Sequence, residues 1–206
     1  MPTSRAAGVP ARRIAGVLLA AGTSSRMGKN KLFLELGGVS VLRRAARTAI
    51  AAGLDPLLVV LGHESERARA ELEGLACMPV LNPDYASGMN TSLRAGIQAV
   101  PPEASAAMVL LADMPFVTPE MVRQVAARWS GEPLAVSLYG DVVAPPILYS
   151  CALFPELLEM TAEDCRKRVV KRHRADALEI AWPPMALADL DVPEDVDRVR
   201  SEFEGS

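Results

Sequence analysis

A short polar segment between Gly22 and Lys31 contains the residue types that bind phosphate. It follows a run of apolar residues and reads GTSSRMGKNK. Small residues let backbone N–H groups approach an anion closely, and tight turns require glycine. Arg26 and Lys31 add positive charge where a polyphosphate would lie. The segment is therefore predicted to be a phosphate-binding loop, because a plain strand-to-helix turn would not require glycine, arginine and lysine together.

This predicted loop differs from two familiar phosphate-binding motifs. A P-loop has four residues between its glycines, followed by lysine and then serine or threonine. Here five residues separate Gly22 from Gly28, and Lys29 is followed by Asn30. The dinucleotide fingerprint GxGxxG is absent from the sequence. The pattern therefore indicates a phosphate loop of a third kind.

Two acidic positions are candidates for holding a divalent cation next to this loop. Asp113 directly follows the apolar residues 106–112, which places it at the end of a predicted buried strand. Mg²⁺ is commonly held by one or two carboxylates together with substrate phosphates. Asp191, in a second acidic cluster, is the weaker candidate for a second ligand. A capping role in a turn is the alternative interpretation of Asp113.

Composition and charge exclude several classes of protein. The 206 residues are 50% hydrophobic and 23% charged, which is the balance of a globular domain and excludes intrinsic disorder. No uncharged apolar run reaches the roughly 18 residues of a membrane span. The net charge of −3 argues against a nucleic-acid binder. Residues 1–50 nevertheless contain nine Lys/Arg and one acid, which indicates either a local anion site or a solvated basic tail.

An alternation of strands and helices must position these groups. Strands are predicted over 14–20, 57–61, 78–81, 106–112 and 134–138, and helices over 39–52, 65–72, 87–100, 119–129, 153–160, 164–173 and 193–203. This order predicts an α/β fold, with a mostly parallel sheet covered by helices on both faces. Residues 1–13 are expected to be a disordered leader, and residues 14–206 a single domain. In such sheets, ligands bind beyond the carboxyl ends of the strands, where the glycine loop, the turn at 62–64 and Asp113 fall.

Four segments resemble a known enzyme family. They are LAAGTSSRMGKNK (19–31), NPDYASGMNTSLRAG (82–96), LLADMPFVTPEMV (110–122) and DLDVPED (189–195). Together they are similar to the molybdenum cofactor cytidylyltransferases, which belong to the MobA-like nucleotidyltransferases. The resemblance extends from about residue 14 to residue 203. It implies a Rossmann-like three-layer α/β/α nucleotidyltransferase fold.

The resemblance also implies a reaction and a set of site residues. CMP would pass from CTP to the phosphomonoester of Mo-molybdopterin, with Mg²⁺ as cofactor, to give molybdopterin cytosine dinucleotide and pyrophosphate. Asp113 and, more weakly, Asp191 would hold Mg²⁺, and Arg26, Lys31 and Asp113 would be catalytic. The triphosphate would contact Gly22, Thr23, Ser24, Arg26, Gly28 and Lys31. The nucleoside would lie near Leu19, Ala20, Ala21, His63, Asn82, Gly88 and Ser92.

The identity of the base depends on the residues just before Gly22. In the family that the chain resembles, Ala-Ala before this glycine accompanies cytosine, and Ala-Gly-Gly loops accompany guanine. Ala20 and Ala21 therefore favour CTP. His63 follows the second predicted strand, where a nucleobase would lie, and a turn histidine without a ligand is the equal alternative.

The second half departs from the family pattern. Relatives often carry a Gly-Asn-Pro-like element where this chain has VVAPPILY at 142–149, and a Gly-Asp-x-Gly-Ala-Arg-like element near residues 161–166. These segments are expected to form the pterin side, so the acceptor is less firmly defined than the nucleotide. The basic stretch at 166–174 would either bind the acceptor's phosphate or form a solvated helix face, and the latter is favoured.

Other functions are compatible with these residues. One is transfer of GMP to molybdopterin, or of CMP to a sugar or polyol phosphate. Another is a non-catalytic molybdenum cofactor chaperone, although the presence of Arg26, Lys31 and Asp113 argues against it. Transient contact with a molybdenum hydroxylase is an expected partnership. The three cysteines show no metal-ligand or disulfide spacing, so free thiols and a cytoplasmic location are expected.

Overall fold

A computed structural model describes residues 12–22, 30–159 and 165–187 of the chain. These residues form a seven-stranded sheet with the order β5-β4-β1-β6-β8-β7-β9, and a separate hairpin of β2 and β3. The strands are β1 (Ile14–Ala20), β2 (Glu35–Leu36), β3 (Val39–Ser40), β4 (Leu57–Leu61), β5 (Met78–Leu81), β6 (Ala106–Leu111), β7 (Leu134–Tyr139), β8 (Val142–Ser150) and β9 (Leu178–Trp182). The helices are α1 (Val41–Ala51), α2 (Ser65–Glu71), α3 (Met89–Gln98), α4 (Pro119–Arg128), α5 (Phe154–Glu159) and α6 (Cys165–Arg172).

The sheet is mostly parallel, as the sequence predicts. Strands β5, β4, β1 and β6 pair in parallel, and β9 pairs in parallel with β7. Within the described residues of the sheet, only β8 runs antiparallel, between β6 and β7. The carboxyl ends of β1, β4 and β6 therefore meet at one edge of the sheet.

Alternate residues of the central strands build two cores, one on each face of the sheet. On one face, Leu18 of β1 and Val59 of β4 pack with residues of α1 and α4. On the other face, Val17 and Val60 pack with α3 and with residues of α5 and α6. Because strand side chains alternate between faces, a continuous apolar run fills both cores. The result is the three-layer α/β/α architecture.

The capping side chain at the start of α1 shows that the predicted start of this helix is wrong. The sequence predicts a helix from residue 39, but α1 begins at Val41 because the hydroxyl of Ser40 accepts a hydrogen bond from the backbone N–H of Arg43. Val39 and Ser40 instead form strand β3. The helix predicted from residue 119 does begin there, and the hydroxyl of Thr118 accepts from the N–H of Met121 at 3.2 Å. Such caps satisfy N–H groups that have no partner within the helix.

Residues 142–150 and 178–182 form strands of the sheet that are not predicted from the sequence. Strand β8 contains Pro145 and Pro146, which lack the N–H that a strand normally donates and so conceal the strand pattern. Two side chains of β7 accommodate this irregular stretch. The hydroxyl of Ser137 donates to the carbonyl of Pro146 at 2.8 Å, and that of Tyr139 donates to the carbonyl of Pro145 at 2.8 Å.

Several features near the chain ends bear on the sequence predictions. Within the predicted leader, Arg12 donates to the carbonyl of Ser130 at 2.7 Å and Arg13 to the carboxylate of Glu103 at 2.9 Å. The rest of the leader and the helix predicted over 193–203 lie outside the described residues.

Free thiols are found at Cys77 and Cys151. Within the described ranges, no helix has both the length and the apolar character needed to cross a bilayer.

Candidate active site

The pairing of β1 with β6 brings Gly22, the first residue of the predicted loop, to the same edge of the sheet as Asp113. The two strands are in register up to Leu19 and Leu111, and the N–H of Ala112 donates to the carbonyl of Leu19 at 3.1 Å. Asp113 follows one residue later. Gly22 lies just beyond the end of β1, at the same edge. The predicted positions of Gly22 and Asp113 at the carboxyl edge are therefore confirmed.

Lys31 reaches the same place from the other end of the glycine loop. It begins a short 3-10 turn, residues 31–33, whose first N–H groups are capped by Asn30. The side-chain oxygen of Asn30 accepts from the N–H of Leu32 at 3.2 Å. This turn points the Lys31 ammonium toward β6.

Lys31 and Asp113 form a close ion pair. Lys31 Nζ lies 2.7 Å from Asp113 Oδ2, and the two side chains are 13% and 24% exposed. A pair largely removed from water is held together strongly, yet each group keeps a face open to the site. The ammonium can neutralise phosphate charge, and the carboxylate can coordinate a cation. Two residues 82 positions apart, both selected from the sequence, thus form one charged unit.

The donor set fits a cation that is held jointly with a substrate. In the described part of the chain, no group of three or more His, Cys, Asp and Glu side chains is arranged as a metal site. Asp113 alone does not form a cage. Mg²⁺ retains waters and is commonly bound through one or two carboxylates plus substrate phosphates, so a single carboxylate at a phosphate loop suits it. Asp191, the predicted second ligand, lies outside the described residues, as do Thr23, Ser24, Arg26 and Gly28.

The turn after β4 packs tightly against the end of β1. A Cβ atom on Gly62 would lie 2.5 Å from Cβ of Tyr85 and 2.9 Å from Cβ of Ala21, so only glycine fits there. The N–H of His63 donates to the carbonyl of Ala21 at 3.4 Å. The rings of His63 and Tyr85 are 6.1 Å apart and tilted by 45°. The predicted base-side residues Ala21 and His63 are therefore neighbours.

Asn82 and Ser92 are brought together, but they face inward. Asn82 is 3% exposed, and its amide donates to the hydroxyls of Thr91 and Ser92 at 2.9 and 3.0 Å. Its oxygen accepts from the N–H of Asp84. Both amide hydrogens are thus engaged within the protein, so these bonds fix the segment between β5 and α3. Contact of Asn82, Ser92 or the nearby Gly88 with a nucleoside stays a prediction.

Two residues of this edge were not singled out as site residues in the sequence. Asn30 links the loop to its surroundings, and Tyr85 covers Gly62. Tyr85 lies inside the NPDYASGMNTSLRAG segment, so its position carried a signal. Asn30 likewise lies inside the LAAGTSSRMGKNK segment, but its contact with Glu64, 34 positions away, has no signal in the local sequence.

The family model described as the MobA-like NTP transferase domain matches residues 16–177. The chain belongs to the MobA-like NTP transferase family. It is a nucleotidyltransferase, and the predicted enzyme class is confirmed. The purine catabolism protein PucB of Bacillus subtilis (strain 168) is 32% identical over 200 residues, which cover 90% of this chain and 95% of that protein. The molybdenum cofactor guanylyltransferase of Rhodobacter capsulatus is 28% identical, with 93% and 97% covered.

Solved structures agree with this placement in the MobA-like family. Rv0371c from Mycobacterium tuberculosis H37Rv superposes with a TM-score of 0.82 at 29% identity, covering 93% of this chain and 99% of that chain. The same protein has been solved as a complex with manganese, with a TM-score of 0.77 at 27% identity and the same coverage. The predicted three-layer nucleotidyltransferase fold is confirmed by these comparisons.

Proposed function

We propose that the chain transfers CMP from CTP to the phosphomonoester of Mo-molybdopterin, with Mg²⁺ as cofactor, to give the cytosine dinucleotide cofactor and pyrophosphate. The observation that carries this proposal is the Lys31–Asp113 pair at the mouth of the predicted phosphate loop. It supplies one cation and one metal-binding carboxylate where the triphosphate would lie. We place the reaction in the cytoplasm, with product delivery to a molybdenum hydroxylase.

The reaction needs little from the protein besides positioning and neutralisation of charge. A phosphate oxygen of the acceptor attacks the α-phosphorus of CTP, the bond to the β-phosphate breaks, and pyrophosphate leaves. Because the attacking oxygen is already anionic, no serine, cysteine or histidine nucleophile is required. Mg²⁺, when bound through Asp113 and phosphate, would neutralise charge there. Lys31 would turn from Asp113 to the phosphates, and the Arg26 position would add a second cation.

The choice of base in this proposal rests on the two residues just before Gly22. Ala20 and Ala21 favour CTP through the family resemblance, and Ala21 is buried against Gly62. Its methyl group therefore acts by packing, because it sets how closely the turn at 62–64 approaches β1. The similarity to a guanylyltransferase supports GTP as the alternative donor.

The first test is a thermal-shift titration with CTP, GTP, ATP and UTP, each with and without Mg²⁺. A ligand at 100 times its dissociation constant stabilises the folded state by about 2.7 kcal/mol, which raises Tm by roughly 5–11 °C in a domain of this size. The proposal predicts a Mg²⁺-dependent shift for CTP. Pyrophosphate release with Mo-molybdopterin then tests turnover, with Mn²⁺ in a parallel reaction.

Each outcome assigns the protein differently. A shift and turnover with GTP instead of CTP would move the chain to the guanylyl branch. Turnover of CTP with a sugar or polyol phosphate, but not with Mo-molybdopterin, would change the acceptor. Binding of the pterin without pyrophosphate release from any nucleotide would contradict the enzymatic proposal.

A further inference from the structure

We propose that Glu64 is a positioning residue for nucleotidyl transfer, acting through Asn30 to hold Lys31 in place. This inference rests on the proposed function for its readout. Glu64 closes the turn after β4 and precedes α2. It belongs to neither the predicted phosphate loop nor the predicted metal site.

The backbone of Glu64 is the first observation. Its φ of 52° and ψ of 39° lie in the left-handed region, and it is the only non-glycine residue with positive φ in the described part of the chain. For a residue with a Cβ atom this conformation is strained, because the Cβ atom approaches the following carbonyl oxygen. Glu64 precedes α2 but makes no side-chain cap to it. The backbone carbonyl of Glu64 accepts from the N–H of Ala68 at 3.0 Å and so starts α2, which leaves the side chain for a separate purpose.

The side chain shows that purpose. Glu64 Oε2 accepts a hydrogen bond from the Asn30 amide at 3.0 Å, across 34 residues of sequence. Asn30 in turn caps the turn at 31–33, and Lys31 is the first residue of that turn. The hydrogen bonds thus connect β4 to Asn30, and the Lys31–Asp113 pair completes the connection to β6.

A second contact strengthens the same connection. The guanidinium of Arg67, in the first turn of α2, lies over the ring of Phe33 at 4.1 Å from its centroid. Arg67 also lies 3.4 Å from Glu64 Oε1. The start of α2 therefore contacts both ends of the segment at 30–33, through Glu64 at Asn30 and through Arg67 at Phe33. The second contact is attractive because the guanidinium is positively charged and the face of the ring is electron-rich.

These contacts fix residues 30–33, which end and follow the predicted phosphate loop, and so determine the position of the Lys31 ammonium. Displacement of a catalytic cation by about 1 Å is enough to cost up to hundredfold in rate. The hydrogen bond itself is exposed and contributes little to global stability. Removing it should therefore change catalysis more than folding.

The test uses two substitutions at Glu64 and a control on the same helix. Glu64→Gly keeps the left-handed backbone without strain, so it removes only the side chain. Glu64→Gln keeps an oxygen that can accept from Asn30. Glu66→Ala removes a neighbouring carboxylate whose side chain is 93% exposed and lies 3.8 Å from Arg69.

The readout is kcat/KM for pyrophosphate release, with whichever nucleotide and acceptor the unsubstituted enzyme uses. We expect Glu64→Gly to lower kcat/KM by about tenfold, Glu64→Gln by less than about threefold, and Glu66→Ala not at all. Tm of Glu64→Gly should stay within about 3 °C of the parent.

A double substitution distinguishes positioning from a general structural effect. If Glu64 acts through Lys31, then Glu64→Gly in a Lys31→Ala background should cost less than about twofold more. A tenfold further loss in that background, or full activity of Glu64→Gly alone, would overturn the inference. An inactive parent enzyme would instead contradict the proposed function, and the nucleotide thermal shift would then compare Glu64→Gly with the parent. In that case an unchanged shift would overturn the role of Glu64 as well.

Discussion

The two halves of the sheet use their polar side chains differently. Around β4, β1 and β6, polar groups lie in loops beyond the strand ends and pair with one another across those loops, as Lys31 does with Asp113. Around β8 and β7, the hydroxyls of Ser137 and Tyr139 lie inside the sheet and bind backbone carbonyls. A side chain at the sheet edge can exchange its protein partner for a ligand. A hydroxyl inside the sheet cannot reach a ligand, so loss of its hydrogen bond would only lower stability.

From this difference we expect the chemistry at the ends of β4, β1 and β6, and we expect β7 and β8 to support the fold. A parallel sheet collects its strand ends at one edge, where loops from distant parts of the chain meet. The antiparallel β8 instead begins at that edge and fills the sheet with an irregular, proline-containing strand. Five variants test this contrast between the two halves of the sheet, and they are given from the largest expected effect to the smallest.

Asp113→Asn should reduce turnover by at least about hundredfold, because an amide neither neutralises Mg²⁺ nor pairs with Lys31 as an ion. The substitution also removes the carboxylate that faces the Lys31 ammonium, so a modest fall in the unfolding temperature is expected, but the protein should stay folded. Pyrophosphate release and thermal unfolding check this. Asp55→Asn, in an exposed turn at the other edge of the sheet, is the matched control and should keep full activity. Undiminished turnover in Asp113→Asn would remove the metal assignment.

Lys31→Ala should raise the nucleotide concentration needed for half-maximal rate by about tenfold or more, since one charge-assisted contact to phosphate is lost. A nucleotide titration at saturating acceptor measures it. Lys31→Arg keeps the positive charge and should recover part of the loss. If the titration of Lys31→Ala coincided with that of the parent, Lys31 would not belong to the phosphate site.

Gly62→Ala should weaken nucleotide binding severalfold and destabilise the fold by about 1–3 kcal/mol, because the new methyl group would force Tyr85 or Ala21 to move. Gly96→Ala is the matched control. Its Cβ would lie 2.4 Å from Val17 Cγ1 in the core between α3 and β1. It should destabilise the fold without changing nucleotide affinity. Equal loss of affinity in both variants would show that the turn at 62–64 has no special role.

Tyr139→Phe should destabilise the fold by about 1–2 kcal/mol, since the buried carbonyl of Pro145 loses its donor, while activity stays near that of the parent. Burial raises the pKa of Tyr139 well above its usual value of 10.0. The folded state therefore favours the neutral phenol. The contribution of Tyr139 to the free energy of unfolding is complete below pH 10 and falls as pH rises further. Urea unfolding at pH 7 and pH 11 measures both effects. A pH dependence unchanged by Tyr139→Phe would contradict this assignment.

Replacing Arg168 and Lys171 of α6 by alanine should have the smallest effect. Both side chains are exposed, and salt screens charges on such a surface. The acceptor concentration for half-maximal rate should change by less than about twofold. A tenfold increase would instead assign the acceptor's phosphate to α6, and would extend the chemistry into the second half of the molecule.

The sequence by itself determined most strands and helices of the first half, and it predicted the principal candidate site residues. Continuous apolar runs such as Leu57–Leu61 are typical of buried strands, and an acid or a glycine loop directly after such a run is expected at the sheet edge. That logic located Lys31 and Asp113, and it gave the α/β class. Boundaries such as the start of α1 depended on one hydroxyl, and were less well determined.

Only the tertiary structure decided which of these groups meet. The position of β8 between β6 and β7 is invisible locally, because its two prolines interrupt the alternation that marks a strand. The inward orientation of Asn82 and the contact of Glu64 with Asn30 join residues that are 10 and 34 positions apart. Local patterns report burial and backbone preference, whereas such contacts depend on where separate loops end in space. For this reason the sequence determined the chemistry available at the edge, and folding determined how it is arranged.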